Sequence, residues 1–307
     1  MEAYFASLNP MDLLGRFPSG IAQGLIWGIM ALGVYITFRL LDIADLSVDG
    51  TFSTGAAVTV MLILAGWNPW AALVIAFIAG LIAGSVTGLL HTVFGIPAIL
   101  AGILTQYGLY SINLVIMKMK ANQAVSVDKY NLIISGRNVP NAIRVGGIFA
   151  IALIVILYLF FGTELGSAIR ATGCNQHMAR AQGINTNFNK VLGLMLSNGI
   201  VALASALYSQ YQGFADINMG RGAIVIGLAA VIIGDVVFGK IFRNFGFKLL
   251  GVALGAVMYY LVIQVVLWLG LNTDDLKLLT ALVVGVFLSV PYIKGRYFTK
   301  TRGKAAK

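Results

Sequence analysis

Seven apolar runs on the length scale of a bilayer crossing restrict the fold of this chain more than any other feature: residues 20–41, 70–91, 96–117, 145–162, 188–211, 249–270 and 278–292. A helix rises about 1.5 Å per residue, so about 20 apolar residues cover a hydrocarbon core about 30 Å thick. Within that core every backbone polar group needs an internal partner, which leaves helices as the spanning form for such runs. Composition agrees: of 307 residues, 59% are hydrophobic and 10% charged, against about 25% charged in soluble domains. The expected fold is an all-α integral membrane protein with one transmembrane domain over residues 1–307. Too little polar chain remains for a separate soluble domain.

Two further apolar segments, 51–65 and 222–234, are short, and each follows a stretch of Asp, Ser, Asn and Gly. They read as broken or re-entrant helices, giving about 8–9 helices in all. Non-helical backbone at membrane depth is tolerated where it is buried in protein or lines a cavity, so both breaks are candidate elements of a path. The breaks also resemble one another, Ile43-Ala44-Asp45-Leu46-Ser47 aligning with Phe214-Ala215-Asp216-Ile217-Asn218. An internal duplication explains this; so does chance in a chain rich in Ala, Gly and Ile.

The formal charge of +10 is concentrated at one end: Lys294, Arg296, Lys300, Arg302, Lys304 and Lys307 follow the last apolar run. That tail, 293–307, reads as a cytoplasmic anchor on anionic lipid headgroups and not as a nucleic-acid site. Counting crossings back from it places the 163–187 loop in the cytoplasm. The same count puts Lys240, Arg243 and Lys248 inside and Asp216, Asp274 and Asp275 outside, as the positive-inside rule requires. Carried further, it places 118–144 outside despite five basic residues against Asp128. Either that loop meets an acidic external partner or an N-terminal crossing is miscounted near Asp45; the count favours nine crossings and an external N-terminus. Glu2 and the lack of early Lys or Arg do not fit a basic leader, so 20–41 is expected to remain as an anchor.

Cys174, His91 and His177 form no cluster for zinc, and one cysteine makes no internal disulfide, so metal and redox chemistry are not expected. Glycines recur at Gly80, Gly84 and Gly88, at Gly24 and Gly28, and at Gly251 and Gly255, a spacing read as bundle packing before any role in oligomers. Gly234 to Lys240 has the skeleton of a phosphate-binding loop, but Ile241 stands where a magnesium-ligating hydroxyl is needed and no strand precedes it. The chain is not expected to hydrolyse ATP itself.

The 163–187 segment is far more polar than its flanks, yet small residues recur through it, as in a short helix that fits a partner's groove. Gly173 and Gly183 suit helix ends. Arg170 and Arg180 offer planar donors to a partner's carboxylates or carbonyls. In order and spacing, Gly166, Arg170, Ala171, Gly173, Asn175, Ala179, Gly183, Ile184 and Asn185 match the coupling loop of a known family, and Arg180 falls within it. The sequence resembles the permease subunits of the branched-chain amino acid and ribose type of ABC importer, from the Asp45–Gly55 break through 222–234. It looks most like short bacterial permeases paired with lipoprotein receptors for amino acids, aromatic ones especially.

That resemblance implies a bacterial cell-membrane assembly: a second permease subunit, a copy of this chain in a homodimer, two cytoplasmic ATPase subunits and an external solute-binding protein. ATP and Mg would reside on the ATPases, leaving this chain without a cofactor. Its cargo would be a small polar solute, an amino acid of aromatic or branched-chain type. Path candidates are polar groups at membrane depth or at the breaks: Asp45, Ser47, Asp49, Thr51, Gln106, Tyr107, Ser197, Asn198, Asn218 and Arg221. Each could instead make a helix–helix hydrogen bond or a cap, and Asp45 and Asp49 read first as caps of the helix near Thr51. The rival readings are an ion-gradient-driven carrier, for which the long spans hold few ionisable groups, and a non-transporting scaffold or receptor, which needs no polar breaks.

Overall fold

The computed structural model describes residues 10–239, 241, 244–268, 278, 281, 282, 285 and 289. Apart from those last five positions, the expected span 278–292 lies outside the described residues, as do the tail 293–307, Lys240, Arg243, Asp274 and Asp275.

The long helices are α1 (Pro10–Tyr35), α2 (Val48–Leu64), α3 (Pro69–Thr92), α4 (Ala98–Ile116) and α5 (Val139–Phe161), followed by the short α6 (Glu164–Cys174) and α7 (Gln176–Ala181). The chain continues through α8 (Thr186–Gln212), α9 (Ala223–Phe238) and α10 (Phe245–Trp268). A π turn, Ile36–Leu40, extends α1. Among the described residues, six helical stretches are long and apolar enough to span a membrane, Met11–Leu40, α3, α4, α5, α8 and α10, whereas α2 and α9 are shorter apolar helices. At 17 and 16 residues these two reach about 25 Å, less than a full hydrocarbon core. A small antiparallel ribbon joins β1 (Asn122–Ala124) to β2 (Phe214–Asp216), with Gln123 opposite Ala215.

Local chemistry sets the helix starts. Asn68, Asn138, Asn175 and Asn185 accept from the N–H groups of Trp70, Asn141, Met178 and Phe188 at 3.0–3.2 Å, satisfying amides that no helical carbonyl reaches. Packing then follows the glycines. α8 is buried over most of its length, and α3 runs antiparallel along it, with Gly80, Gly84 and Gly88 facing Asn198, Leu194 and Val191. Gly24 and Gly28 of α1 meet Val257 and Ala253 of α10, and Gly234 of α9 meets Gly251. The repeated glycines therefore serve close approach inside one bundle. Gly234 is helical and packed, so the segment resembling a phosphate loop forms no cradle as far as Phe238.

Two ends of the bundle are distinct. At one, Gly173 of α6 lies against Leu40 and Leu41, and Arg39 pairs with Asp235 at 3.4 Å. At the other sit the ribbon and the start of α1, where Ser19 Oγ and Tyr211 Oη are 3.2 Å apart. The 118–144 loop is thus at the end opposite 163–187, as the crossing count requires. There Arg137 is paired with Asp128, and Lys129 lies 5.8 Å from the Tyr130 ring centre.

Candidate substrate path and coupling segment

The first break runs through residues 41–47. Leu41 is buried, and Asp42 turns the chain with φ 55°, a left-handed conformation that Asp tolerates better than most residues. Asp45 Oδ1 then accepts from the backbone N–H of Ser47 at 2.9 Å and from its hydroxyl at 2.5 Å. Asp45 Oδ2 accepts from Asn198 Nδ2 at 2.7 Å, and Asn198 Oδ1 accepts from Thr51 Oγ1 at 2.7 Å. Asp45, Ser47, Thr51 and Asn198 are all at most 2% exposed. They form a satisfied lock between the break and the middle of α8, the arrangement in which buried polar groups rigidify a core. Ser197 donates to the Gly33 carbonyl at 2.8 Å and ties α8 to α1.

The second break repeats the first turn. Asp216 Oδ1 accepts from the N–H of Asn218 at 2.7 Å, the same two-residue geometry as Asp45 and Ser47. This shared turn is a structural correlate of the sequence match. Gly222, at φ 85°, then starts α9 with no side chain to take its first amides. Asp49 takes them: its Oδ2 accepts from Gly222 N–H and its Oδ1 from Ile224 N–H, both at 2.9 Å. Ser53, one turn later, accepts from Gly220 N–H at 3.0 Å. The expectation that Asp49 caps its own helix is corrected here. It caps the other short helix, because α9 begins at a glycine and presents unpaired donors towards α2. A side chain at Gly220 would collide with the Asp49 carbonyl, which is why the breaks can meet.

Beside this junction is a cavity of about 590 Å³ between α2, α4 and the second break. Asp49, Gln106, Tyr107, Asn218 and Arg221, all sequence candidates, line it. Asp45, Ser47, Thr51, Ser197 and Asn198 are not among its lining residues; their helix–helix bonds account for them. Ser53, Tyr110 and Asn113 line the cavity without having been foreseen. Tyr110 and Asn113 stand four and seven residues beyond Gln106, and that helical spacing was the available signal. The volume is within the range of small-molecule sites. The described ion pairs are Arg39–Asp235 and Arg137–Asp128, so the Arg221 guanidinium is unpaired among the described residues.

The candidate coupling residues mostly serve this chain's own packing. Gly166 lies against Phe160 and Phe161, Gly173 against Leu40, and Ala179 is buried. Asn175 and Asn185 are caps, and Gly183, at φ 77°, ends α7. Arg170 stacks 5.2 Å over Phe245, and Arg180 donates to Thr186 Oγ1 at 2.9 Å. Ala171, Ile184 and Asn185 line a groove between α6 and α8. The small residues thus seat α6 and α7 on their own bundle, where sequence reasoning had them fitting a partner. Leu165, Met178 and Phe188 are the large apolar side chains left outward here.

Residues 17–290 match the family described as branched-chain amino acid transport system / permease component. The chain belongs to this permease family. It is 39% identical over 271 residues to a tyrosine transport system permease protein of Clostridioides difficile, covering 88% of this chain and 90% of that one. An uncharacterised protein of Rickettsia prowazekii is 34% identical, covering 88% and 96%. The autoinducer 2 import system permease protein LsrC of Yersinia pseudotuberculosis is 30% identical, with 70% of this chain matched to 60% of that one. The permease is therefore the multi-pass membrane component of an ABC-type importer, and its named relatives are transport proteins, not enzymes.

Proposed function

We propose that this permease imports an amino acid with an aromatic side chain, delivered by an external binding protein and driven by cytoplasmic ATPase subunits that press on α6 and α7. The observation that carries this reading is the junction of the two short helices at Asp49, beside a polar and aromatic cavity of about 590 Å³. The tyrosine transport relative at 39% identity supports the substrate class. Two copies of the chain would face each other around the path. The ATPases would hold ATP and Mg, and this chain would contribute the path and the seat for their movement. α6 suits that role because Gly173 rests on Leu40 and Leu41, where α1 ends and the first break begins.

The test is uptake of radiolabelled L-tyrosine into vesicles containing the permease purified with the ATPase and binding protein encoded beside it. Uptake is expected to need both partners and ATP. Equal uptake without ATP, or none with all partners present, overturns the proposal.

A further inference from the structure

We infer that Asn113 reads the far tip of the transported molecule, favouring an amino acid whose aromatic ring carries a hydroxyl over one whose ring ends bare. The inference rests on the amino acid reading above and adds a specificity-determining residue to it. Asn113 is 1% exposed and lines the cavity, yet among the described residues neither Oδ1 nor Nδ2 has a hydrogen-bond partner. A buried amide left unpaired beside a cavity is costly, and a ligand that reaches it and pairs with it relieves that cost.

The layout of the cavity says what such a ligand looks like. Gly222 is bonded to Asp49, and Gly50 packs on Gln106, so Arg221 lies at the level of Gln106. Ile217 belongs to one apolar cluster with Met117, a turn beyond Asn113, and both Ile217 and Asn113 line the cavity, so Asn113 stands near the level of Ile217. Gln106 and Asn113 are seven residues apart on one helix, on the order of 10 Å along its axis. Arg221, unpaired among the described residues, would take a carboxylate at one end. Tyr107, Tyr110 and Ile217 supply aromatic and apolar wall between. Asn113 can donate to and accept from a hydroxyl at the other end. A bare ring would leave the amide unpaired, the situation in which polar sites discriminate most strongly.

The experiment compares uptake of radiolabelled L-tyrosine and L-phenylalanine by cells carrying the complete transporter, with the wild-type permease or with Asn113→Leu, which keeps the branched skeleton, is somewhat bulkier and removes both polar atoms. The binding protein is common to both, so its own preference cancels in the ratio. The tyrosine-to-phenylalanine ratio is expected to fall about tenfold in Asn113→Leu while phenylalanine uptake is kept. Asn113→Ala, expected to shift the ratio the same way, serves if the leucine variant fails to insert. A ratio that stays unchanged, whether both rates hold or both collapse together in a well-inserted variant, overturns the inference. Wild-type cells that import neither amino acid overturn the amino acid reading, and this inference with it.

Discussion

Asp49→Asn tests the junction of the two short helices directly. In the native chain one carboxylate accepts from Gly222 and Ile224 N–H, both at 2.9 Å. Asparagine keeps one acceptor oxygen and replaces the other with an NH₂, which points a donor at a donor. One bond to a charged group, worth about 1.5–3 kcal/mol, is then lost, and the other drops to the neutral range of about 0.5–1.5 kcal/mol. The favourable interaction with the α9 dipole, about 0.3–1 kcal/mol, goes as well. Asp49 is half-buried, so water recovers part of this, and the net loss should be about 2 kcal/mol. At about 2–4 °C per kcal/mol, the purified protein should melt about 4–8 °C lower. Ser53→Ala, which removes the acceptor for Gly220 N–H, should cost about half as much. Asp42→Asn is the control, since Asp42 is exposed at φ 55° and Asn tolerates that conformation. Thermal unfolding in detergent, followed by size-exclusion chromatography of fluorescently tagged protein, gives the melting points. If Asp49→Asn melts with Asp42→Asn, the inter-break cap contributes nothing and the reasoning fails.

Glycine substitutions should divide by position: Gly84→Ala meets the Leu194 carbonyl and should cost about 1–3 kcal/mol, whereas Gly108→Ala and Gly147→Ala enter open space and should be neutral or stabilising by up to about 1 kcal/mol. The same melting assay separates them. Arg39 and Asp235 are 3.4 Å apart with side chains 62% and 34% exposed, so Arg39→Ala should cost under about 1 kcal/mol and the cost should shrink in high salt; a larger or salt-independent loss would show a role beyond a surface pair. Gly173→Ala drives a methyl into the Leu40 carbonyl and should lower ATP-dependent uptake by an order of magnitude or more at equal membrane levels, with full uptake counting against α6 being seated there.

Asp45 and Asp216 show how far sequence could go. Their surroundings announced two polar breaks, and each makes the same turn with the residue two positions on. That turn is local chemistry, and local chemistry is legible. What Asp49 does was not, because its partners are 173 and 175 residues away, and nothing in the intervening spacing says which helix starts will meet. The apolar runs likewise fixed where helices lie, but not that Asn198 faces Asp45 while Ser197 faces Gly33; neighbours on one helix point in different directions, and only packing assigns them. Gly166 and Gly173 show a different limit. Their smallness was correctly seen as a need for close approach, and the approaching backbone belongs to this chain. Asn113 was passed over as one polar residue near the end of an apolar run, although it completes the Gln106 and Tyr110 face.

The same contacts decide where a displacement of α6 can go. Gly173 rests on the backbone of Leu40 and Leu41, and the Leu41 side chain rests in turn on Gly193 of α8. Four residues on, Asp45 is locked to Asn198, and four beyond that, Asp49 holds the first amides of α9. Packed protein is a poor spring, with few voids to take up a shift, and the Asp45–Asn198 network has its hydrogen bonds satisfied and so moves as a unit. A push on α6 therefore has two outlets before the cavity, the π turn at Ile36–Leu40 and the left-handed turn at Asp42. Whatever they do not absorb arrives at Asp49, where α2 and α9 meet on the cavity wall. On the importer reading, this packed route, covalent from Leu40 to Asp49, carries a force at the coupling segment to the groups that would hold substrate.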